Sequence, residues 1–239
     1  MSEQAGARKR VVVQLPGRPD NRPVAERYDL ELEALAPVAD IVEVQADTPA
    51  AFAEAARDAD ALITSWGVRI DAEVIAALTK CVVIGVGSVG VDMVDIPAAT
   101  DAGIVVTNVP DVFIEEVADH ALMLLLAAGR RTRIMGRMVV DGDWHRGRPL
   151  LNHVPRLMGQ TLGLLAFGNV ARLTAHRARA FGLQVIAHDP YVSELTISEA
   201  GVEPVSFGEL LARSDYLSVH APLNEETRHL LDADAFARM

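Results

Sequence analysis

The segment Ala166-Phe167-Gly168-Asn169-Val170-Ala171 has the residue types and spacing to hold a diphosphate. It follows an apolar run, Thr161-Leu162-Gly163-Leu164-Leu165, and opens an Ala- and Arg-rich stretch that ends in Phe181-Gly182. A dinucleotide turn needs a small residue for a tight bend, a glycine where the backbone meets the pyrophosphate, and a small residue where helix packs on strand. Gly168 supplies the middle requirement, and Ala166 and Ala171 stand in the outer two places, giving A-x-G-x-x-A. An alanine at the third place still permits close packing, whereas one at the first is strained if the bend demands positive φ. Asp189 lies twenty-one residues after Gly168 and follows the next apolar run. That is near the spacing expected of the acid that accepts both ribose hydroxyls of NAD, and its charge repels a 2′-phosphate, so NAD is favoured over NADP. Alone, such a turn reads as packing and such an aspartate as a turn former; together they point to a nucleotide site, with helical N–H groups from Asn169 onward aimed at the anion.

Those residues must be positioned by alternating strands and helices. Strands are expected at Val11 to Leu15, Ile41 to Val44, Ala61 to Thr64, Val82 to Ile84 and Ile104 to Thr107. Helices are expected near Glu26 to Ala36, Pro49 to Ala56, Ala72 to Lys80 and Ile96 to Ala102, the last capped by Asp95, with Pro97 in its first turn and Gly103 past its end. Apolar positions at helical spacing between Phe113 and Arg130 predict a long helix, followed by a polar, glycine-containing stretch from Asp141 to Pro149. A second β/α series then has strands at Thr161 to Ala166, Gln184 to His188, Glu203 to Val205 and Tyr216 to His220. Its helices are expected at Asn169 to Phe181, Ser193 to Ala200, Phe207 to Arg213 and from Asp232 onward.

The implied class is α/β with two doubly wound parallel-sheet domains. Residues 1–108 form a flavodoxin-like substrate domain, and residues 109–239, starting with the long linking helix, form a Rossmann NAD-binding domain. Four strands of a normally six-stranded sheet are present, so an incomplete domain, a truncated chain and an unpaired, poorly soluble sheet edge are expected. A single domain with a helical insertion is the rival organisation.

Bulk properties exclude several functions. A formal net charge of −11 repels polyphosphate partners, and Arg8-Lys9-Arg10 is too small a cluster to offset it, so nucleic-acid binding is discounted. The longest apolar run, Ala121 to Gly129, is less than half of the roughly 20 residues that cross a bilayer, and with no signal-peptide pattern a cytoplasmic, membrane-free protein is expected. The single Cys81, ahead of Val82-Val83-Ile84, is expected to be a buried inert thiol. His120 beside Asp119 reads as a surface histidine with a solvated acid neighbour, while His145 and His153 are placed in a loop and His220 at a strand end. None is assigned to catalysis.

The wider sequence resembles the D-2-hydroxyacid dehydrogenases. The likeness runs through Gly85-Val86-Gly87-Ser88-Val89-Gly90-Val91-Asp92, Thr107-Asn108-Val109-Pro110, Glu116-Val117-Ala118-Asp119-His120, the Gly159 to Gly182 turn and helix, His188-Asp189-Pro190-Tyr191, and Ser214 through Leu223 with Glu226-Thr227. Ile114 to Ala118 and the His188 to Tyr191 ending are most similar to the branch containing phosphoglycerate dehydrogenases and the C-terminal-binding-protein corepressors. This resemblance implies hydride exchange between NAD and a small 2-hydroxy or 2-oxo acid, held in a cleft between the two blocks. It further implies that Val86 and Gly87 bind the substrate carboxylate through backbone N–H groups, that Val89 lies near the nicotinamide, and that Gly168, Asn169 and Val170 hold the pyrophosphate. Asp189 would hold the ribose, and Ala221, Pro222 and Thr227 would lie under the adenosine half. Many relatives carry arginine at the positions of Val86 and Asn169, so the substrate class stays open and a weaker cofactor grip is expected. The family's catalytic arginine, glutamate and histidine would fall beyond Met239, so no catalytic residue is expected within the chain and the 239 residues are expected to be inactive. A homodimer through the Phe113 to Arg130 helix is expected, and a non-catalytic, NAD-responsive interaction or corepressor-like protein is the alternative.

Overall fold

The computed structural model describes residues 7–15, 29–152 and 154–239. The start of the helix expected from Glu26, and His153, lie outside the described residues. The chain divides into two compact units, Met1–Val112 and Phe113–Met239.

In the first unit five parallel strands, β1 (Lys9–Gln14), β2 (Ala39–Val44), β3 (Ala61–Thr64), β4 (Val83–Val86) and β5 (Val105–Thr107), lie in the order β2-β1-β3-β4-β5. This is the flavodoxin-like order. The intervening helices are α1 (Asp29–Leu35), α2 (Pro49–Ala56), α3 (Ala72–Ala77) and α4 (Ile96–Asp101). Side-chain caps start three of them: Thr48 accepts from Ala51 N–H, Asp71 from Val74 N–H and Asp95 from Ala98 N–H. Each cap satisfies an N–H that the helix cannot, worth about 1 kcal/mol. Parallel strands buried on both faces need apolar side chains throughout, and Val12, Phe52, Leu62, Ile70, Val74 and Ile84 are fully buried around them. Cys81 is buried as expected; burial pushes its thiol up, and the thiol donates to the Val83 carbonyl.

The second unit opens with α5 (Ile114–Gly129), followed by α6 (Thr132–Val140) and α7 (Trp144–Leu151). The last corrects the reading of residues 141–149 as an irregular stretch, and places His145 in a helix. Here tertiary packing overrides local propensity: Gly147 is buried so closely against Met135 and Met138 that an added Cβ would meet the Met135 side chain at 2.4 Å. Four parallel strands follow, β6 (Thr161–Leu165), β7 (Gln184–His188), β8 (Glu203–Pro204) and β9 (Tyr216–Val219), in the order β8-β7-β6-β9. Counted within the unit this is 3-2-1-4, the opening of the doubly wound nucleotide-binding order. The helices α8 (Asn169–Ala180), α9 (Glu194–Glu199), α10 (Phe207–Arg213) and α11 (Ala233–Ala237) flank the sheet in sequence. Alanines Ala171, Ala175 and Ala178 give α8 a flat buried face toward Leu162 and Leu164.

Arg177 on α8 bonds Asp119 on α5 at 2.7 Å and also pairs with Glu115. The solvated acid expected beside His120 is thus also an ion-pair partner, its side chain remaining 69% exposed where the two helices pack together. No helix among the described residues is long and apolar enough to cross a membrane.

Candidate functional site

Strand β6 ends at Leu165, one residue earlier than expected, and Ala166 makes the bend with φ +72°. Its N–H donates to the His188 carbonyl at 2.8 Å, which fixes the turn against the end of β7. The strain anticipated for alanine at this place is therefore present, at about 1–2 kcal/mol for an L-residue in the left-handed region. Phe167 is fully buried, and its N–H donates to Asp189 Oδ2 at 2.8 Å. The glycine turn and the aspartate, twenty-one residues apart, are thus one hydrogen bond from each other.

Gly168 is the N-cap of α8, with φ −77° and ψ −166°, and no side chain caps the helix. An added Cβ there would meet no heavy atom within 4 Å, so the glycine faces open space. The first turn of α8 has no acidic residue, which leaves its helical N–H groups and positive pole without an anionic partner from that turn. Asn169 and Val170 form that first turn.

Arg172 was not singled out from the sequence. Its Nε donates back to the Phe167 carbonyl at 3.3 Å, and its guanidinium lies 5.7 Å from the Phe167 ring centroid. A cation is unfavourable beside a helix N-terminus unless an anion is also there, and that misplacement was the signal available in the sequence.

Asp189, expected to accept both ribose hydroxyls, already serves three backbone N–H groups. Its Oδ1 accepts from Tyr191 N–H at 2.8 Å and Val192 N–H at 3.2 Å, besides the Phe167 bond on Oδ2. A carboxylate has about four lone-pair sites, so roughly one remains while the loop keeps this shape.

Ala221, Pro222 and Thr227 follow β9 and line, with Leu165, Val219 and Leu230, a cavity of about 290 Å³ at the same strand ends. Thr227 Oγ1 donates to the Pro222 carbonyl at 2.6 Å and accepts from Asn224 N–H at 2.9 Å, while Thr227 N–H donates to Asn224 Oδ1 at 2.9 Å. Thr227 therefore holds the loop together. Opposite, the Tyr191 hydroxyl donates to Glu226. An uncapped helix end facing open space, an acid at the next strand end and a preformed apolar cavity beside them fit a dinucleotide.

The first unit arranges its site residues differently. Strand β4 extends to Val86, whose side chain is buried at 2% exposure, so Val86 is a core residue and not part of the loop. The N–H of Gly87 donates to the Thr64 carbonyl at 2.7 Å, prolonging the β3–β4 ladder. This corrects the expectation that Gly87 offers a free N–H to a carboxylate: the neighbouring strand has taken it. Val89 is half exposed, and its carbonyl accepts from Asn108 Nδ2 at 2.8 Å. Ser88 Oγ bonds the Gly90 carbonyl at 2.8 Å, and the Ser88 carbonyl accepts from Val109 N–H at 3.3 Å, so the loop is braced on the segment after β5. Among the described residues no group of three or more histidine, cysteine or acidic side chains could hold a metal.

Residues 122–239 match the family model described as D-isomer specific 2-hydroxyacid dehydrogenase, NAD binding domain. The chain is 39% identical over 181 residues to D-3-phosphoglycerate dehydrogenase of Mycobacterium tuberculosis (strain ATCC 25618 / H37Rv), covering 76% of this chain and 34% of that protein. To glyoxylate reductase of Korarchaeum cryptofilum it is 38% identical over 187 residues, covering 78% of this chain and 56% of that one. The chain thus spans about a third to a little over half of the length of these relatives. Among solved structures it is similar to the TT0316 protein from Thermus thermophilus, at 34% identity and a TM-score of 0.76 over 96% of this chain and 70% of that one. It is also similar to a glyoxylate reductase from Paecilomyes thermophila, at 28% identity and a TM-score of 0.80 over 97% of this chain and 70% of that one. With the sheet order, the glycine turn and these likenesses together, the chain belongs to the D-2-hydroxyacid dehydrogenase family, and residues 122–239 are its NAD-binding domain.

Proposed function

We propose that the chain is an NAD-dependent oxidoreductase unit of the 2-hydroxyacid type, in which the second unit holds the cofactor and the first receives a small 2-hydroxy or 2-oxo acid. The observation that carries the reading is the 2.8 Å bond from Phe167 N–H to Asp189, which joins the phosphate turn to the ribose acid before any ligand arrives. NAD supplies or accepts the hydride when bound. The first turn of α8, from Gly168 through Asn169 and Val170, directs N–H groups at the pyrophosphate, and Arg172 adds a charge at the same end. Asp189 takes a ribose hydroxyl on its remaining lone pair, and Ala221, Pro222 and Thr227 wall the adenosine side.

In the first unit, the braced loop from Ser88 to Gly90 replaces Gly87 as the place where a carboxylate would be received, with Val89 as its exposed apolar contact. Carbonyl reduction also requires a proton donor and a cation near the developing alkoxide, and no described residue is assigned either role. Glyoxylate and D-3-phosphoglycerate are the substrate types suggested by the names of the relatives. A homodimer is part of the reading: Met123, Leu124, Ile134, Val139, Val140 and Trp144 on α5 to α7 are each about half exposed or more, a larger apolar display than isolated surface residues make.

Titration of the 239-residue chain with NADH, followed by fluorescence, tests the cofactor reading: saturable binding is expected and its absence overturns it. Addition of glyoxylate or hydroxypyruvate should then cause no NADH oxidation. Turnover would show that the chain holds an acid to which no role has been given, and would exclude the non-catalytic, NAD-responsive interaction-protein alternative.

A further inference from the structure

Tyr191 and Glu226 meet although they belong to loops after different strands. Tyr191 lies three residues beyond β7 and Glu226 seven beyond β9, and β6 separates those two strands in the sheet. Strands two places apart are about 10 Å apart, so the bond from the Tyr191 hydroxyl to the Glu226 carboxylate crosses in front of the end of β6, where the Ala166 to Gly168 turn sits.

Both anchors are fixed. Asp189 Oδ1 holds the N–H groups of Tyr191 and Val192, and the Asn224 and Thr227 bonds lock the loop that carries Glu226. Tyr191 is 77% exposed, so its ring is not there to fill a core. Asp189 meanwhile has most of its lone pairs taken by the N–H groups of Phe167, Tyr191 and Val192, which leaves the ribose edge short of acceptors.

We propose that Tyr191 and Glu226 form a clasp over the adenosine end of the nucleotide site, and that Glu226 is a second acid, beside Asp189, that selects a dinucleotide with a free 2′-hydroxyl over one with a 2′-phosphate. The inference rests on the cofactor reading above. A carboxylate held within about 10 Å of a doubly charged phosphate repels it through a partly screened path, which corresponds to a discrimination of roughly 3- to 10-fold. The same carboxylate accepts a hydrogen bond from a hydroxyl without penalty. The Tyr191 hydroxyl is held above its usual phenol range by Glu226 first and by Asp189 in addition, which agrees with both acids facing one mouth.

The test is fluorescence titration of the full chain with NADH and with NADPH, at about 0.05 and 0.5 M salt, a range over which the screening length falls severalfold. Glu226→Gln should raise the affinity for NADPH relative to that for NADH by about 3- to 10-fold. Tyr191→Phe frees the carboxylate to turn outward and should narrow the NADH preference in the same direction by a smaller factor. High salt should narrow the wild-type preference and change that of Glu226→Gln less, a response that a merely structural role for the clasp would not produce. Melting temperatures within a degree or two of wild type establish that both variants fold, as expected for an exposed bond. If the wild type binds NADH and Glu226→Gln leaves the NADPH to NADH ratio unchanged, the clasp proposal is overturned while the cofactor reading stands. If the wild type binds neither nucleotide, the cofactor reading itself falls.

Discussion

The loop after β4 and the turn after β6 both place a glycine at the carboxyl end of a parallel strand, yet only one keeps its backbone open. In the first, Gly87 gives its N–H to Thr64 and the loop is braced by Ser88, Asn108 and Val109. In the second, the chain passes at once into a twelve-residue helix with no side-chain cap, and Gly168 looks onto empty space. The difference lies in where the hydrogen bonds go. A glycine at a strand end becomes an anion site only if no neighbouring strand claims the N–H groups, and that depends on whether the ladder continues or a helix begins.

The severest challenge to this contrast is to add a side chain at each glycine. Gly168→Val should cost at least about 100-fold in NADH affinity with little change in stability, because its Cβ would meet no protein atom and its φ of −77° is open to any residue. Gly87→Ala meets Ser65 Cβ at an ordinary 3.5 Å and should leave NADH affinity unchanged. Retained NADH binding in Gly168→Val would erase the distinction between the two regions.

Asp189→Ala is next in size. It strands the N–H groups of Phe167, Tyr191 and Val192 and should lower stability by about 2–3 kcal/mol in urea titration, along with abolishing NADH binding. Loss of binding at unchanged stability would mean that the aspartate touches ligand but does not build the turn.

A smaller effect bears on the strained bend. Ala166→Gly relieves a left-handed alanine and adds chain entropy to the unfolded state, so the net should lie between neutral and about 1 kcal/mol stabilising, against the usual loss for this substitution. A destabilisation of about 1 kcal/mol by thermal melting would show that the bend is not strained.

The smallest concerns pH. Burial lowers His220 below its ordinary value of 6.5 in the folded chain. As pH falls through that value the unfolded chain takes up the proton first, so acid weakens the fold until the folded histidine also protonates. Above it the group is neutral in both states and contributes no slope. His220→Gln should remove this part of the acid sensitivity, seen as a flatter dependence of melting temperature on pH below about 6.5.

Much of the architecture was legible because its causes are local. Val11 to Leu15, Gln184 to His188 and the Asp95, Pro97, Gly103 punctuation follow from β-branched runs and capping chemistry within a few residues. Helix α7 was not legible, because Gly147 and Pro149 argue against a helix and only the packing of Met135 and Met138 sustains it.

The site divides along the same line. The A-x-G-x-x-A turn and the Asp189 spacing were set by sequence alone, since a strand, a tight bend and a helix of set length carry the chain from one strand end to the next with little freedom. Tertiary structure alone decided that Val86 turns inward, that Thr64 captures Gly87, that Asp189 gives lone pairs to Phe167 and to its own loop, and that Tyr191 reaches Glu226. Each of those outcomes is a choice of hydrogen-bond or packing partner. Several of the partners are distant in sequence, and strand order and register bring them together.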